Sequence, residues 1–234
     1  MMEDFSVSVC MATYNGEKYI KSQISSILKQ LSPNDEIIIS DDGSTDDTKN
    51  IIENFNDRRI KFYKNPRKGI ISNFENALRH AQNHLIFLSD QDDLWYDDKV
   101  VKIKNKFLSD NSLTMVYSNA SIIDGSSKPT GELFFNKIPQ SNVFWKQFLK
   151  SSFLGCTMCF KNQMLNYILP IPHHIPMHDW WIGLLNIKYG KVGFINEPLI
   201  YYRRHGNNAT SDKHASIPQM LKWRITLFNA IRKR

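Results

Sequence analysis

Along residues 6–93, short apolar runs alternate with segments whose apolar residues recur at helical spacing. A short alternating or continuous apolar run is typical of a strand, and an i, i+3, i+4 pattern is typical of an amphipathic helix. Strands are predicted at residues 6–11, 36–40, 60–63 and 85–88, with helices between them at about residues 19–31, 44–55 and 71–82. This strict alternation predicts right-handed crossovers and an α/β fold with a mostly parallel sheet.

Three of the predicted strands end in unusually polar segments. These segments are Thr13-Tyr14-Asn15, Asp41-Asp42 and Asp90-Gln91-Asp92-Asp93. Because ligands of such sheets bind outside the carboxyl ends of the strands, we expect the three segments to open onto one crevice. The clustered acids of the last segment repel one another, and a divalent cation among them would relieve that repulsion. An acidic turn solvated by water is the alternative for that segment alone, but the convergence of all three favours a binding site.

After residue 96 the pattern is less regular. Helices are predicted at about residues 97–108, 142–150, 163–169 and 178–189, and strands near residues 114–118, 192–195 and 199–202. No internal repeat or low-complexity linker divides the chain. We therefore expect one unit with a nucleotide-binding front half (residues 1–110), a substrate-binding and catalytic back half (111–212) and a basic amphipathic tail (213–234).

The composition is that of an ordinary globular protein, since 41% of the 234 residues are hydrophobic and 23% are charged. The longest apolar runs are short strands, so no transmembrane helix is predicted. The N-terminus carries acids and no apolar signal region, which predicts a cytoplasmic protein. Cys156 and Cys159 have the spacing of a redox or zinc motif, but they lie in an apolar segment without a second cysteine pair. Buried structural thiols are therefore predicted.

The net charge is +7, and basic residues concentrate in the C-terminal tail. Between Lys222 and Arg234 they are interleaved with apolar residues at helical spacing. Such a basic amphipathic helix suits an anionic membrane surface and would place the protein on the cytoplasmic face of the inner membrane. The alternative is a terminal helix that packs its apolar face on the domain. No aromatic-basic recognition motif appears, so no nucleic-acid partner is expected.

Asp179 is the residue of chief interest in the second half. It stands at a predicted helix start, where exposed backbone N–H groups favour a carboxylate, so a plain N-cap is one interpretation. The other interpretation rests on Trp180 and Trp181, whose amphipathic side chains are suited to stacking on a sugar ring. A carboxylate beside such a surface can have its pKa raised toward neutrality and act as a general base.

Arg203, Arg204 and His205 follow two tyrosines in a predicted loop. His205 is a candidate either to complete the ligand set of a metal or to contact a diphosphate, and the arginines are candidates to neutralise leaving-group charge. A histidine that is merely exposed is the alternative. The other histidines show no metal-ligand spacing with His205, so a zinc site is not expected.

Four motifs in this order resemble the GT-A glycosyltransferases of the large inverting family 2. They are Val7 to Gly16 (VSVCMATYNG), Ser40 to Asp46 (SDDGSTD), Ser89 to Asp93 (SDQDD) and His178 to Trp181 (HDWW). The resemblance extends from about residue 6 to residue 208, nearly the whole chain. It implies a GT-A fold, with a Rossmann-like sheet flanked by helices, and sugar transfer from a nucleotide-sugar with inversion at the anomeric carbon.

The resemblance also implies roles for the matching positions. The nucleotide-binding set comprises Thr13, Tyr14, Asn15, Asp41, Asp42, Lys68 and Asp90. In that set, Asp42 would read the edge of uracil or thymine and Asp90 would contact the ribose. Asp92 would bind Mg²⁺ or Mn²⁺ with His205, and Asp179 would deprotonate the acceptor hydroxyl. The sugar and acceptor pocket would be bordered by Trp95, Trp180, Trp181 and Arg204.

The sequence departs from the family pattern at His178, where an acidic residue is more usual before the base. The base itself is retained, so the departure concerns its surroundings and not the catalytic group.

A finer resemblance is to bacterial rhamnosyltransferase-like enzymes of surface-polysaccharide assembly. Besides HDWW, it rests on Asn73-Phe74, Asp90 to Trp95, Gly155 to Met158 and Tyr202 to Asn208. It implies dTDP-L-rhamnose as donor and a glycan or lipid-linked acceptor at the cytoplasmic face of the membrane. Another UDP- or dTDP-hexose is the alternative donor, since sugar identity depends on a pocket shape that short motifs do not encode.

Other classes of protein fit the motifs less well. A phosphatase or phosphotransferase would carry Thr or Val in place of Leu94, and a nucleotidyltransferase would carry a Gly-rich, Arg-containing loop in place of Thr13 to Gly16. A dinucleotide-binding oxidoreductase would show G-x-G-x-x-G after the first strand. A catalytically silent sugar-binding or scaffold subunit is the alternative from a different class, and the presence of every expected acid argues against it.

Overall fold

The computed structural model describes residues 5–206 and 216–234. Asn207 and Asn208 of the last motif, and residues 213–215 of the predicted tail, lie outside these ranges. The strands are β1 (Val7–Thr13), β2 (Glu36–Asp41), β3 (Ile60–Lys64), β4 (Leu85–Asp90), β5 (Leu94–Trp95), β6 (Met115–Asp124), β7 (Pro129–Leu133), β8 (Met158–Lys161) and β9 (Val192–Arg204). The α-helices are α1 (Ile20–Leu28), α2 (Thr48–Glu53), α3 (Ile70–His80), α4 (Lys99–Ser109), α5 (Phe134–Lys137), α6 (Phe144–Leu149), α7 (Leu165–Ile168), α8 (His178–Tyr189) and α9 (Ile217–Arg232).

These strands form one sheet in the order β3-β2-β1-β4-β8-β6-β9-β5, with β7 paired to β6. Strands β3, β2, β1 and β4 run parallel, whereas β8 is antiparallel to both β4 and β6. Strand β9 is parallel to β6, and β5 is antiparallel to β9. The predicted α/β fold with a mostly parallel sheet is therefore confirmed.

The register of the parallel strands brings their polar ends together. Thr13 lies opposite Asp41, and Ala12 lies opposite Asp90. The three polar segments therefore meet at one edge of the sheet, where ligands of this architecture bind.

Two hydrophobic cores cover the sheet, one on each face. Because side chains alternate along β1, Val9 and Met11 pack with α1 and α4, whereas Cys10 packs with α3 and α8. Strand β2 is buried along its whole length, as expected of a parallel strand covered on both faces. Cys156 and Cys159 are buried and free, which confirms them as structural thiols. No helix among the described residues is long and apolar enough to cross a membrane.

Two local expectations were wrong. Helix α2 begins at Thr48 and not at the predicted residue 44, and the Ser44 hydroxyl before it donates to Asp41 (2.6 Å). The two strands predicted near residues 192–202 form one strand, β9. Its register with β6 shifts around Asn119, and this irregularity accommodates Pro198 without ending the strand.

Candidate active site

A cavity of about 350 Å³ opens at the carboxyl ends of β1, β2 and β4, within the size range of small-ligand pockets. Its lining residues are Ala12, Thr13, Tyr14, Asp42, Ile70, Asn73, Asp90, Gln91, Asp92, Leu154, Gly155, Met177, His178, Asp179 and Tyr202. The predicted residues that meet there are Thr13, Tyr14, Asp42, Asp90, Asp92 and Asp179. The cavity therefore joins the predicted nucleotide, metal and base positions in one site.

Tyr14 is held in place by the side chain of Gln91. The Gln91 amide accepts from the Tyr14 backbone N–H (2.9 Å) and donates to the Tyr14 carbonyl (3.0 Å). These two bonds tie the loop after β1 to the acidic loop after β4. The Tyr14 side chain is 53% exposed at the cavity and offers an aromatic face to a base. Sequence reasoning quoted Gln91 within a motif without recognising this role.

Asp42 lines the cavity, and its carboxylate is fixed by its neighbours. One oxygen accepts from the Asn65 amide (2.8 Å), and the other accepts from the Gly69 backbone N–H (2.9 Å). A carboxylate has about four acceptor positions, so Asp42 keeps capacity for a donor group on a ligand.

Asp41 is buried behind the cavity wall, so its predicted contact with a nucleotide is corrected to a supporting role, whereas Asn15 is exposed in the loop after β1 and is not in the cavity lining. Asp41 is buried and accepts from the Thr13 hydroxyl (2.9 Å) and from the Ser44 backbone N–H (2.8 Å). Asn15 adopts a φ of 48°, in the left-handed region that asparagine tolerates, and its side chain accepts from the Thr45 N–H (2.9 Å). Both residues shape the loops that present Thr13 and Tyr14.

Lys68 is likewise outside the cavity lining. It is exposed in the loop between β3 and α3. The next two residues do reach the cavity, since Gly69 donates to Asp42 and Ile70 is in the lining, and the assignment of Lys68 to the nucleotide site stays a prediction.

The acids at the end of β4 form a tight cluster. Burial raises the pKa of Asp90 well above its ordinary value, and the negative charges of Asp93 and Asp92 raise it further. Burial, and then Asp92, raise the pKa of Asp93 to about 7. Asp90 and Asp92 line the cavity, whereas Asp93 is fully buried beneath it. This accumulation of unfavourable negative charge fits a site that receives a cation.

Arg203 on β9 anchors this acidic loop. It is 1% exposed, its backbone N–H donates to Asp93 (2.9 Å), and its guanidinium donates to the Asp92 carbonyl (2.6 Å). The same guanidinium also donates to the Ser127 hydroxyl (2.7 Å). Because Arg203 is buried in these contacts, its predicted contact with the leaving group is corrected to a structural role.

His205 lies against Asp92, as expected if the two residues act together. Its Nε2 atom is 2.7 Å from a carboxylate oxygen of Asp92, and its ring stacks on Tyr19 with a centroid distance of 5.2 Å. The antiparallel pairing of β5 with β9 brings them together, since Leu94 lies opposite Tyr201. Carboxylate oxygen and imidazole nitrogen are a donor set that suits Mn²⁺, and the carboxylate alone suits Mg²⁺.

A second group of ligand-type atoms lies deeper, among the described residues Asp90, Asp93 and Cys156, within 4.8 Å of one another. This group fits a hard cation poorly. Burial raises the pKa of the Cys156 thiol, so no thiolate is present. A cation already lies beside it, since the buried Lys99 ammonium donates to the Cys156 carbonyl (2.6 Å). Burial lowers the pKa of Lys99 to about 8. We therefore regard Lys99 as the internal counter-charge of this group.

Asp179 lies in the first turn of α8 and lines the cavity. Its carboxylate accepts from the backbone N–H groups of Trp180 (2.6 Å) and Gly155 (3.2 Å). Burial nevertheless raises its pKa to about 6. The helix begins one residue earlier, at His178, so Asp179 is not the N-cap. A fixed carboxylate with a pKa near neutrality has the properties of a general base.

His178 gives the base a neutral neighbour. Its ring is buried and stacks on Phe74 with a centroid distance of 3.8 Å. Burial lowers the pKa of His178 to about 3, so the ring carries no charge at neutral pH. Neither ring nitrogen has a hydrogen-bond partner among the described residues.

Trp181 and Trp95, two of the three tryptophans predicted to border the sugar, are buried away from the cavity, and those assignments are corrected. Trp181 is fully buried and donates to the Ile168 carbonyl (2.9 Å). Trp95 is 3% exposed and packs under the Lys99 ammonium, which is 4.2 Å from the ring centroid. Each residue of a helix turns the side-chain direction by about 100°, so side chains two residues apart point to nearly opposite sides. Asp179 and Trp181 therefore cannot both face the cavity.

Trp180 and Arg204 are near the cavity but not in its lining. The Trp180 indole donates to the Gln147 carbonyl (2.8 Å). Arg204 donates to the hydroxyl of Tyr202 (3.2 Å), which does line the cavity. Both assignments to the sugar pocket stay predictions.

Asn73 is a lining residue for which sequence reasoning gave no role. Its amide donates to the Thr13 carbonyl (3.0 Å), and its buried Oδ1 atom has no partner among the described residues. In the sequence, only its presence in the Asn73-Phe74 motif of the rhamnosyltransferase-like resemblance indicated a place for Asn73 in the site.

The fold matches that of solved glycosyltransferase structures. The structure of S. aureus TarS 1-349 in complex with UDP-GlcNAc matches 96% of this chain and 66% of its own, with a TM-score of 0.76 and 18% identity. The mannosyltransferase PcManGT from Pyrobaculum calidifontis, in complex with GDP-Man and Mn²⁺, matches 84% of this chain and 56% of its own, with a TM-score of 0.60 and 20% identity. The chain therefore has the GT-A fold.

Sequence comparison identifies the family. The model of Glycosyl transferase family 2 matches residues 8–167. The UDP-Glc:alpha-D-GlcNAc-diphosphoundecaprenol beta-1,3-glucosyltransferase WfgD of Escherichia coli is 30% identical over 91% of this chain and 82% of its own length. The dTDP-rhamnosyl transferase RfbG of Shigella flexneri is 32% identical over 85% of this chain and 72% of its own length. This chain belongs to glycosyl transferase family 2, and the predicted resemblance is confirmed.

Proposed function

We propose that this glycosyltransferase moves a sugar, with inversion, from a nucleoside-diphosphate sugar to a hydroxyl group of a glycan or lipid-linked acceptor in bacterial surface-polysaccharide synthesis. The observation that carries the proposal is the composition of the cavity wall. Asp179, whose pKa is raised to about 6, shares one cavity with Asp90 and Asp92 at the end of β4. A base and a cluster of acids that favours a cation are the two parts that this reaction needs.

One group of cavity residues binds the donor, and Asp179 acts on the acceptor. Tyr14 and Asp42 hold the base of the nucleotide, and Asp90 contacts the ribose. The acceptor hydroxyl gives its proton to the Asp179 carboxylate as its oxygen bonds to the anomeric carbon. The bond from that carbon to the diphosphate oxygen breaks in the same in-line displacement, and its electron pair leaves with the nucleoside diphosphate.

Asp92, with His205 beside it, is the proposed holder of Mg²⁺ or Mn²⁺. The raised pKa values of Asp90 and Asp93, both partly caused by neighbouring carboxylates, support a cation at this end of the cavity. When bound, the ion would neutralise charge on the departing diphosphate. The Mn²⁺ complex of PcManGT supports the choice of ion.

For the donor we propose dTDP-L-rhamnose, with a UDP-hexose such as UDP-glucose as the second candidate. The rhamnosyltransferase-like motifs and the name of RfbG support the first, and the name of WfgD supports the second. That name also specifies a diphosphoundecaprenol-linked acceptor, which supports a lipid-linked acceptor here. A silent scaffold subunit would not need a base positioned in the cavity beside the acids.

The proposal is tested by incubating the protein with a panel of UDP-, dTDP- and GDP-sugars, with Mn²⁺ and with a chelator. We expect a dTDP- or UDP-sugar to raise the melting temperature only when the metal is present, and to release nucleotide when a diphosphoundecaprenol-linked sugar is added. If no nucleotide raised the melting temperature with any divalent metal, the proposal would be refuted.

A further inference from the structure

Helices α6 and α9 share a surface that combines exposed apolar side chains with basic ones, called here the α6–α9 face. Its apolar residues are Trp145, Leu149, Ile217, Leu221, Ile225 and Phe228. Trp145 is 59% exposed, Leu149 58%, Leu221 57% and Ile225 54%. Large apolar side chains grouped together at this exposure mark a surface that binds a partner or a membrane.

The exposed apolar residues of α9 are not needed to attach the helix to the domain. Leu227 and Ile231 are buried in the core, and the Lys188 ammonium donates to the Ile231 carbonyl (2.9 Å). Ile217, Leu221, Ile225 and Phe228 follow one another at intervals of three or four residues, so they form a second stripe along the helix. Helix α9 therefore packs on the domain and also presents apolar side chains to the outside.

Helix α6 extends this stripe into a continuous surface. The Arg224 guanidinium of α9 donates to the Leu149 carbonyl of α6 (2.7 Å). The rings of Phe148 and Phe228 also meet edge to face, with a centroid distance of 6.2 Å. The two helices therefore hold their exposed apolar residues in one fixed arrangement.

The charges around the face favour an anionic partner. Residues 140–155 and 216–234 contain no Asp or Glu. Lys146 and Lys150 on the α6 side are exposed, as are Lys222, Arg232 and Lys233 on the α9 side. A second copy of the chain would bring this basic surface against itself, which like charges oppose. An anionic lipid surface offers both the complementary charge and an apolar layer.

We propose that the α6–α9 face docks on an anionic lipid bilayer, with its apolar side chains at the interface and its basic side chains among the head groups. Helix α6, which carries part of the face, contacts the helix of the general base, because Trp180, which follows Asp179, donates to the Gln147 carbonyl of α6 (2.8 Å). Docking would thus bring the general base close to acceptors anchored in that bilayer. The access to anchored acceptors rests on the proposed function, whereas the docking itself rests only on the apolar and basic side chains of the α6–α9 face.

The test is flotation of the full chain with vesicles of phosphatidylcholine alone or with about one third phosphatidylglycerol, without any donor sugar. We expect binding only to the anionic vesicles, and weaker binding as salt rises. Leu221→Glu and Ile225→Glu should each weaken it at least tenfold, and Lys222→Gln about fivefold, the effect of one basic residue near such a surface. Leu108→Glu, at a 43% exposed position on α4, is the matched control and should bind normally.

Melting temperatures and metal-dependent nucleotide binding of each variant in solution separate docking from folding and from the proposed function. Equal binding to neutral and anionic vesicles would overturn the proposal. So would unchanged binding of both glutamate variants, or a dimer that Ile225→Glu dissociates in the absence of any vesicle binding. If the wild-type chain did not bind a nucleotide in the presence of metal, that result would instead count against the proposed function.

Discussion

Replacing Asp179 with Asn tests the proposed base with little change in shape. The substitution removes the negative charge and the ability to accept a proton, while the side-chain oxygen can still accept from the Gly155 or Trp180 N–H. Binding of the nucleotide depends on Tyr14, Asp42 and the acidic loop, so it should persist. Loss of a positioned general base should lower transfer by roughly 100- to 10,000-fold.

The raised pKa of Asp179 also predicts how activity depends on pH. Since its pKa is about 6, kcat/KM of the wild type should fall about tenfold per pH unit below pH 6 and level off above it. The residual activity of Asp179→Asn should lack this descending limb, because the group that titrates is gone.

The raised pKa of Asp179 also predicts that Asp179→Asn is more stable than the wild type at neutral pH. Burial raises the pKa of Asp179 from 3.8 to about 6, so its contribution to stability is most favourable below pH 3.8 and is lost as pH rises through 6. At neutral pH the folded wild type holds a partly buried, ionised carboxylate, which is unfavourable, and the asparagine variant does not. Each pKa unit corresponds to about 1.4 kcal/mol, so the free energy of unfolding should rise by at most about 3 kcal/mol. Partial exposure of Asp179 reduces the gain below that limit.

Transfer is measured as release of nucleotide in the presence of acceptor, donor binding by calorimetry, and stability by urea unfolding at pH 7. Asp110→Asn is the control, because its carboxylate pairs with Lys191 away from the cavity (2.7 Å). If Asp179→Asn transferred sugar at the wild-type rate, Asp179 would not be the base. Loss of donor binding together with transfer would show that it acts through the structure of the pocket.

Three further substitutions test the remaining parts of the site. Asp92→Ala should remove the dependence of donor binding on Mn²⁺ and leave the melting temperature of the free protein nearly unchanged; retained Mn²⁺-dependent binding in calorimetry would contradict its role. Gln91→Ala should raise KM for the donor about tenfold, because two hydrogen bonds to Tyr14 are lost; an unchanged KM would refute this positioning role. Trp181→Ala should lower the free energy of unfolding by about 3–5 kcal/mol while the folded protein keeps its KM for the donor; a raised KM at wild-type stability would restore Trp181 to the sugar pocket.

Much of the fold follows from local periodicity, which the sequence displays directly. The alternation of Val9 and Cys10 toward opposite faces, and the continuous apolar run of β2, were sufficient to predict a covered parallel sheet. Since parallel strands end at the same edge, the meeting of Thr13, Asp42 and Asp90 followed from their positions after strands. These predictions needed no knowledge of pairing beyond the sheet type.

The misplaced residues depended on orientation or on distant pairing. Asp41 is the last residue of β2 and is buried, whereas Asp42 begins the loop that follows and lines the cavity, and adjacency in the sequence does not show which of the two is turned toward a ligand. Trp181 is turned into the core by the helix that presents Asp179. Arg203 reaches the acidic loop only because β5 pairs with β9, and no local pattern encodes that pairing.

The central claim is that this cavity holds a nucleoside diphosphate and a divalent ion beside Asp179. The most direct test is a crystal structure with Mn²⁺ and dTDP or UDP, in which the anomalous scattering of manganese locates the ion. We predict the ion in contact with a carboxylate oxygen of Asp92, the diphosphate on the ion, and the base against Tyr14 and Asp42. Manganese bound away from Asp92, or a nucleotide bound outside the cavity, would contradict the account.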